Sequence, residues 1–158
     1  MTAQLSTVQH GVVTETPAPI VIAAINGEHL HRLSSTIFPM MDKAIVHSNG
    51  ELSRDGLVSE IEDGETLLLT ASQDGEILGM VVAKRIVFQT GKTVLSCPIT
   101  SGGKIHLWMD EMVGTLKVLA RLYGCSELYG SGRPGWERLM KNYGINIIRR
   151  TYALKLGE

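Results

Sequence analysis

This chain has almost no charge imbalance. Its 15 Lys and Arg stand against 16 Asp and Glu, a formal net charge of −1 over 158 residues. A dedicated nucleic-acid binder needs a basic excess or stripe to meet phosphates, so the sequence argues against that class. Long apolar runs are missing as well. None approaches the roughly 20 residues of a membrane-spanning helix, and no membrane partner is expected. Cysteine is scarce: Cys97 and Cys125 form no metal-ligand spacing. Both lie in apolar surroundings, as buried reduced thiols do. The five histidines, His10, His29, His31, His47 and His106, share no ligand spacing either, so no metal site is expected. His29 and His31 stand two apart, which on a helix turns them to different sides. The first fifteen residues hold no Lys, no Arg and no apolar core. Secretion through a signal peptide is therefore not expected.

What is present has ordinary globular make-up, 44% hydrophobic and 20% charged. The length suits one domain with a proper core. Residues 1–18 read as a polar arm rich in Thr, Gln and Pro that cannot bury itself. With Val8, Val12 and Val13 as its apolar points, it is expected to dock on a protein partner. Residues 19–158 read as the folded domain. The apolar run from Ile20 to Ile25, led in by Pro17 and Pro19, is the expected first strand. From Glu28 to His47, Leu30, Leu33, Ile37, Met40, Met41, Ala44 and Ile45 recur at helical spacing, with a kink allowed at Pro39. Ser53 is a fitting N-cap for a short helix carrying Leu57, Val58 and Ile61. Two apolar runs then flank Asp74-Gly75, a strong two-residue hairpin signal. The second run is apolar on both faces and belongs in the middle of a sheet.

Residues 93–143 are where a function can be built. They read as strand, glycine turn, helix, strand, turn, helix. A strand joined through a helix to a second strand makes a parallel pair with a right-handed crossover. The glycine turn Ser101, Gly102, Gly103 and Lys104 then lies under the first turn of the long helix. Free backbone N–H groups and the positive helix end make such a place a natural anion site. These four are the candidate cofactor-binding residues, and His106 stands where it could touch a bound phosphate. Trp108 and Trp136 head the apolar faces of their helices and are expected in the core. Gly114, in mid-helix, suggests a close approach. Residues 145–156 are expected as a closing strand, with Arg149 and Arg150 on opposite faces.

The expected order is strand, helix, helix, three antiparallel strands, helix, strand, helix, strand. This is an α/β protein of the α+β kind with one mixed sheet. Together with the glycine turn before the third helix and the Tyr143-Gly144 close of the fourth, that order resembles the GNAT superfamily of acyl-CoA-dependent N-acyltransferases. The resemblance covers residues 19–156. It is closest to the small GNAT-like proteins encoded by tailed bacteriophages, in which a GRPGW-like turn, here residues 132–136, precedes the last helix.

The resemblance implies an acetyl-CoA site at the glycine turn. The family's pyrophosphate loop runs Arg or Gln, two residues, Gly, one residue, Gly or Ala. Aligned on Gly102, this chain has Ile99 at the first place and Lys104 at the last, so Gly102 alone matches. Gly103 can still let backbone approach, and Lys104 can add charge. The family's general acid, a tyrosine four residues before the closing glycine, falls on Met140, which has no proton to donate. The central strands carry Lys84 and Arg85 but no carboxylate to serve as base. No catalytic residue is therefore assigned. The implied protein is a GNAT-like scaffold with degenerate chemistry and no cofactor, binding acetyl-CoA weakly or not at all. It would act through protein contacts by way of its arm, with other virion proteins among its partners, in a virion or the host cytoplasm. The alternative is an acetyl-CoA-dependent N-acetyltransferase that modifies a host or phage amine.

Overall fold

The computed structural model describes residues 16–157. The arm, with Val8, Val12 and Val13, lies outside them except for residues 16–18. In chain order the elements are β1 (Ile20–Ile25), α1 (Gly27–Arg32), α2 (Ser34–Ile45), α3 (Arg54–Glu62), β2 (Thr66–Gln73), β3 (Glu76–Val87), β4 (Thr93–Gly102), α4 (Ile105–Leu122), β5 (Glu127–Gly130) and α5 (Trp136–Lys141). The strands form one mixed sheet in the order β1-β2-β3-β4-β5. All neighbours are antiparallel except β4 and β5, which are parallel. Helix α4 is the crossover that a parallel step requires.

Local chemistry explains most of these boundaries. Asp74 and Gly75 both take positive φ, 53° and 79°, as the tight hairpin turn between β2 and β3 demands. The Ser53 hydroxyl accepts the Gly56 N–H at 3.0 Å and starts α3. Gly124, at φ 69°, stops α4.

The sheet lies between two cores. On one face α4 and the α5 region cover Leu69, Val81, Ala83, Leu95 and Cys97. On the other, α1, α2 and α3 cover Leu68, Met80, Val82 and Ile99.

Four expectations need correction. Residues 28–47 form two helices that break at Leu33, not at Pro39. Leu33 (φ −101°, ψ 9°) closes α1 and opens α2. The break lets Leu30 of α1 and Ile37 and Met41 of α2 reach the same core, all fully buried. Pro39 sits inside α2 and removes one donor without ending the helix. The expected sixth strand does not form. Residues 145–157 hold no strand, and every residue from Asn146 to Gly157 is exposed. Gly144 turns left-handed at φ 71°, and no described strand lies beside the tail. Trp108 is fully buried as expected, but Trp136 is only half-buried. A Cβ on Gly114 would meet nothing within 4 Å, so no close approach explains that glycine.

Two bulges decide which side chains face which core. In β3, Ala71 and Ser72 of β2 stand opposite Gly79 and Ile77, leaving Leu78 as the extra residue. In β4, Ser96 pairs with Lys84 and Ile99 with Val82, so Cys97 and Pro98 together oppose Ala83. Strict alternation would keep Ile99 on the face of Leu95 and Cys97. The extra residue puts it in the opposite core instead.

Candidate functional site

The site begins where β4 and β5 part. They pair only from Val94 with Glu127 to Cys97 with Gly130. The Ser131 N–H then reaches the Cys97 carbonyl at 3.4 Å, and the contact ends. The divergence falls on the β4 bulge at Cys97 and Pro98. Beyond it, residues 98–102 of β4 run on with no strand on that side among the described residues. A bare strand edge is a row of backbone groups on which an extended ligand can pair.

That edge leads to the glycine turn and the start of α4. Gly102 stands opposite Gly79 with φ 133°. A Cβ on Gly102 would lie 2.4 Å from both the Gly79 Cα and the Leu78 carbonyl oxygen. The Gly103 N–H donates to that same Leu78 oxygen at 3.1 Å. Trp108 Nε1 donates to the Gly103 carbonyl at 2.8 Å. The turn is therefore fastened to β3 on one side and to α4 on the other. Lys104 takes the left-handed conformation (φ 49°, ψ 41°) at the head of α4, with no side-chain cap and no acid in the first turn. Leu107 N–H returns to the Lys104 oxygen at 2.9 Å. The amides of Ile105 and His106 have no carbonyl one turn back inside the helix, so they are orphan donors of the kind every helix start carries.

The candidate residues divide accordingly. Gly102, Gly103 and Lys104 lie together and exposed below the helix start. Ser101 is 8% exposed and pairs with Met80 on the sheet face of α1–α3, turned from α4. Ile99, in the basic or amide place of the family loop, is a core residue on that same face. His106 is exposed in the first turn of α4.

Three groups near the divergence bear on chemistry. Burial pushes the Cys97 thiol up to about 12; it is a neutral thiol at ordinary pH and no nucleophile. Tyr143, read from sequence as core, is half-buried against the α4-side cluster. Its hydroxyl donates to Asp110 Oδ1 at 2.6 Å. Burial first, then that bond, push the phenol up to about 12. A phenol so held is a poor acid toward a thiolate of ordinary pKa about 8.5.

The third group is Glu60, which the sequence reading missed. Thr66, Lys84, Ser96 and Tyr129 occupy directly paired positions across β2 to β5. Above this row, Glu60 of α3 accepts from the Thr66 hydroxyl at 2.8 Å and from Lys84 Nζ at 3.2 Å. A search along the strands finds no acid because this one comes from a helix. No three metal-ligating side chains gather among the described residues, and no described helix is long and apolar enough to cross a membrane.

No family model and no curated protein matches this sequence. Solved structures match in fold. The ribosomal-protein-alanine N-acetyltransferase from Brucella melitensis biovar Abortus 2308 superposes with a TM-score of 0.62 at 17% identity, over 87% of this chain and 99% of that one. An aminoglycoside acetyltransferase from an uncultured soil metagenomic sample gives 0.65 at 12% identity, over 87% and 99%. The aminoglycoside N-acetyltransferase AAC(6')-Iy, in complex with CoA, gives 0.66 at 11% identity, over 91% and 99%. This chain shares its fold with these acetyltransferases.

Proposed function

We propose that this protein binds an acyl-CoA in the cleft between β4 and β5 and transfers the acyl group to an amine. The observation that carries the reading is the parting of β4 and β5 at Cys97, with the uncapped start of α4 at the far end of the same bare edge. A pantetheine arm is an extended chain of amides, and the β4 edge offers it partners as to an added strand. Its pyrophosphate would meet the amides of Lys104, Ile105 and His106, with Ser101, Gly102 and Gly103 fixing the turn and the Lys104 side chain adding charge. Acetyl-CoA is the simplest such cofactor, and one fold neighbour is a CoA complex. In the transfer, the amine nitrogen attacks the thioester carbonyl, a C–N bond forms and the C–S bond breaks. The amine attacks in its neutral form and gives its surplus proton to water, and the thiolate takes a proton from water. Glu60 holds its carboxylate over the opposite sheet face, paired there to Lys84 and hydrogen-bonded by Thr66. Most of the rate then comes from positioning.

Calorimetry with acetyl-CoA tests this, on the wild type and on Gly103→Asp. A Cβ at Gly103 meets nothing, so the variant keeps its fold and places a carboxylate under α4. The wild type is expected to bind with a Kd below about 1 mM, and the variant at least about tenfold more weakly. No heat from the wild type at millimolar acetyl-CoA refutes the reading.

A second reading rests on the captive Tyr143 and on Met140 at the family's acid position. On it the scaffold performs no transfer and acts through protein contacts in a phage-virion assembly, docking by the arm of residues 1–18. Weak or absent binding of acetyl-CoA, with no thiol release in the presence of varied amines, would select this reading. Steady release would reject it.

A further inference from the structure

Helix α4 turns toward β1 a flank that nothing among the described residues covers. Met112, Val113, Leu116 and Ala120 are buried against the sheet. One step round the helix, Glu111, Gly114, Thr115 and Val118 follow helical spacing. With Ile20 and Ile22 of β1 they line an open groove of about 440 Å³. Leu122 continues that line by one turn. The hollow stands beside Gly114, which has no side chain, and Thr115, which has a short one; a single methyl at Gly114 would not fill it. The line ends apolar and bare, Val118 being 54% exposed and Leu122 75%. An apolar face of this kind asks for a cover.

We propose that the groove between β1 and α4 is the seat of the chain's own residues 8–13. They lie outside the described residues, and the place where the description begins argues for them. Ile20 lines the groove, and two residues before it the Ala18 carbonyl accepts Gln73 Nε2 at 2.8 Å. The arm is thus tied down at the groove's mouth. A segment tethered so close meets its seat at about millimolar effective concentration, which favours the chain's own arm over a separate protein. Residues 14–17 supply the reversal. Strand β1 runs antiparallel to β4, and α4 returns antiparallel to β4 as well, so an arm folding back from Ala18 runs with the helix. Thr7, Val8, Val12, Val13 and Thr14 are β-branched, which favours an extended chain. In that form Val8 and Val12 share a side and stand about 13 Å apart. Gly114 and Leu122 stand about 12 Å apart along the helix. Charge agrees: residues 1–15 hold one carboxylate, Glu15, and no Lys or Arg, and Glu111 alone among the lining residues is charged.

The test is a mutant cycle in the full chain, read by thermal unfolding: Val118→Glu, the pair Val8→Asp/Val12→Asp, and all three together. Val118 is exposed on α4 and glutamate is a good helix former, so the fold stands in each variant. Val118→Glu is expected to lower Tm by about 2–5 °C more with the native arm than with the doubly substituted one. In the wild type, nuclear Overhauser contacts should join the methyls of Val8 and Val12 to those of Ile20, Ile22 and Val118, at a concentration where sedimentation shows a monomer. Equal Tm shifts in the two backgrounds overturn the proposal. So does the absence of those contacts from the monomer, or their appearance only in a dimer, which would seat the arm on a second copy.

Discussion

Replacing Gly79 with alanine should unfasten the glycine turn from a distance. A Cβ there would lie 2.3 Å from Trp108 Cζ2 and 2.6 Å from Cε2. Trp108 has nowhere to retreat: it is fully buried, and its Nε1 is tied to the Gly103 carbonyl at 2.8 Å. Gly79 cannot back away either, because Gly102 is directly opposite and already close to it. Overfilling a packed core costs about 1–3 kcal/mol. Displacing the indole also breaks its hydrogen bond, worth about 1 kcal/mol. The sum is about 2–4 kcal/mol, which for a domain of this size lowers Tm by about 5–15 °C. Thermal unfolding measures the loss, and tryptophan emission reports the displaced ring. Acetyl-CoA binding, if present in the wild type, should fall well below the melting range, since the turn loses one of its two fastenings. A variant with unchanged Tm and unchanged emission would refute the reasoning, for it would mean that Trp108 does not press on Gly79.

Gly114 offers the opposite case: its added Cβ is free of contacts in mid-helix, so Gly114→Ala should stabilise by about 0.5–1 kcal/mol in urea unfolding. Tyr143 ionises near 12 in the fold, against an ordinary value near 10. The folded state holds this proton more tightly than the unfolded state, so the stability it confers is complete below pH 10 and is lost as pH rises to 12. Tyr143→Phe should flatten that part of the pH–stability curve; an unchanged slope would show that Tyr143 is not the group responsible.

Periodicity made the sheet legible. Alternating and continuous apolar runs placed β1 to β4, the helical connection through α4 set the parallel step, and Ser53 and Asp74-Gly75 marked their cap and turn. What failed depended on contacts between distant residues. The break at Leu33 follows from three side chains seeking one core, which helical spacing does not encode. The tail alternates like a strand, but whether a strand forms depends on an edge being within reach. At the site, position 101 was assigned to the phosphate side by its place in the turn. The β4 bulge reverses the alternation, and Ser101 faces the other way. Glu60 gave no signal because its partners Thr66 and Lys84 come from two other elements. Gly79 did carry one: a lone glycine within an apolar strand marks a bulge or a close approach, and here it marks both.

The bulge at Cys97 and Pro98 ties the fold to the cleft. Before it, Leu95 and Cys97 look toward α4; after it, Ile99 looks toward α1–α3. The two halves of β4 therefore serve different cores. Strand β5 follows the first half, since Leu128 shares the core of Leu95, and parts from the second. The opening is thus made by packing and by the bulge itself, not by any polar side chain. The same holds at the turn, where Gly79, Gly102 and Trp108 set the path and the helix start supplies the donors. Ile99 departs from the family's loop at a place where its side chain is needed in a core. Lys104 departs at a place where its backbone takes the left-handed form that glycine would take more cheaply. Neither departure closes the bare edge or caps the helix. A ligand that binds mainly to backbone can survive both, so the loop motif is a weaker guide to acyl-CoA binding here than the course of the chain.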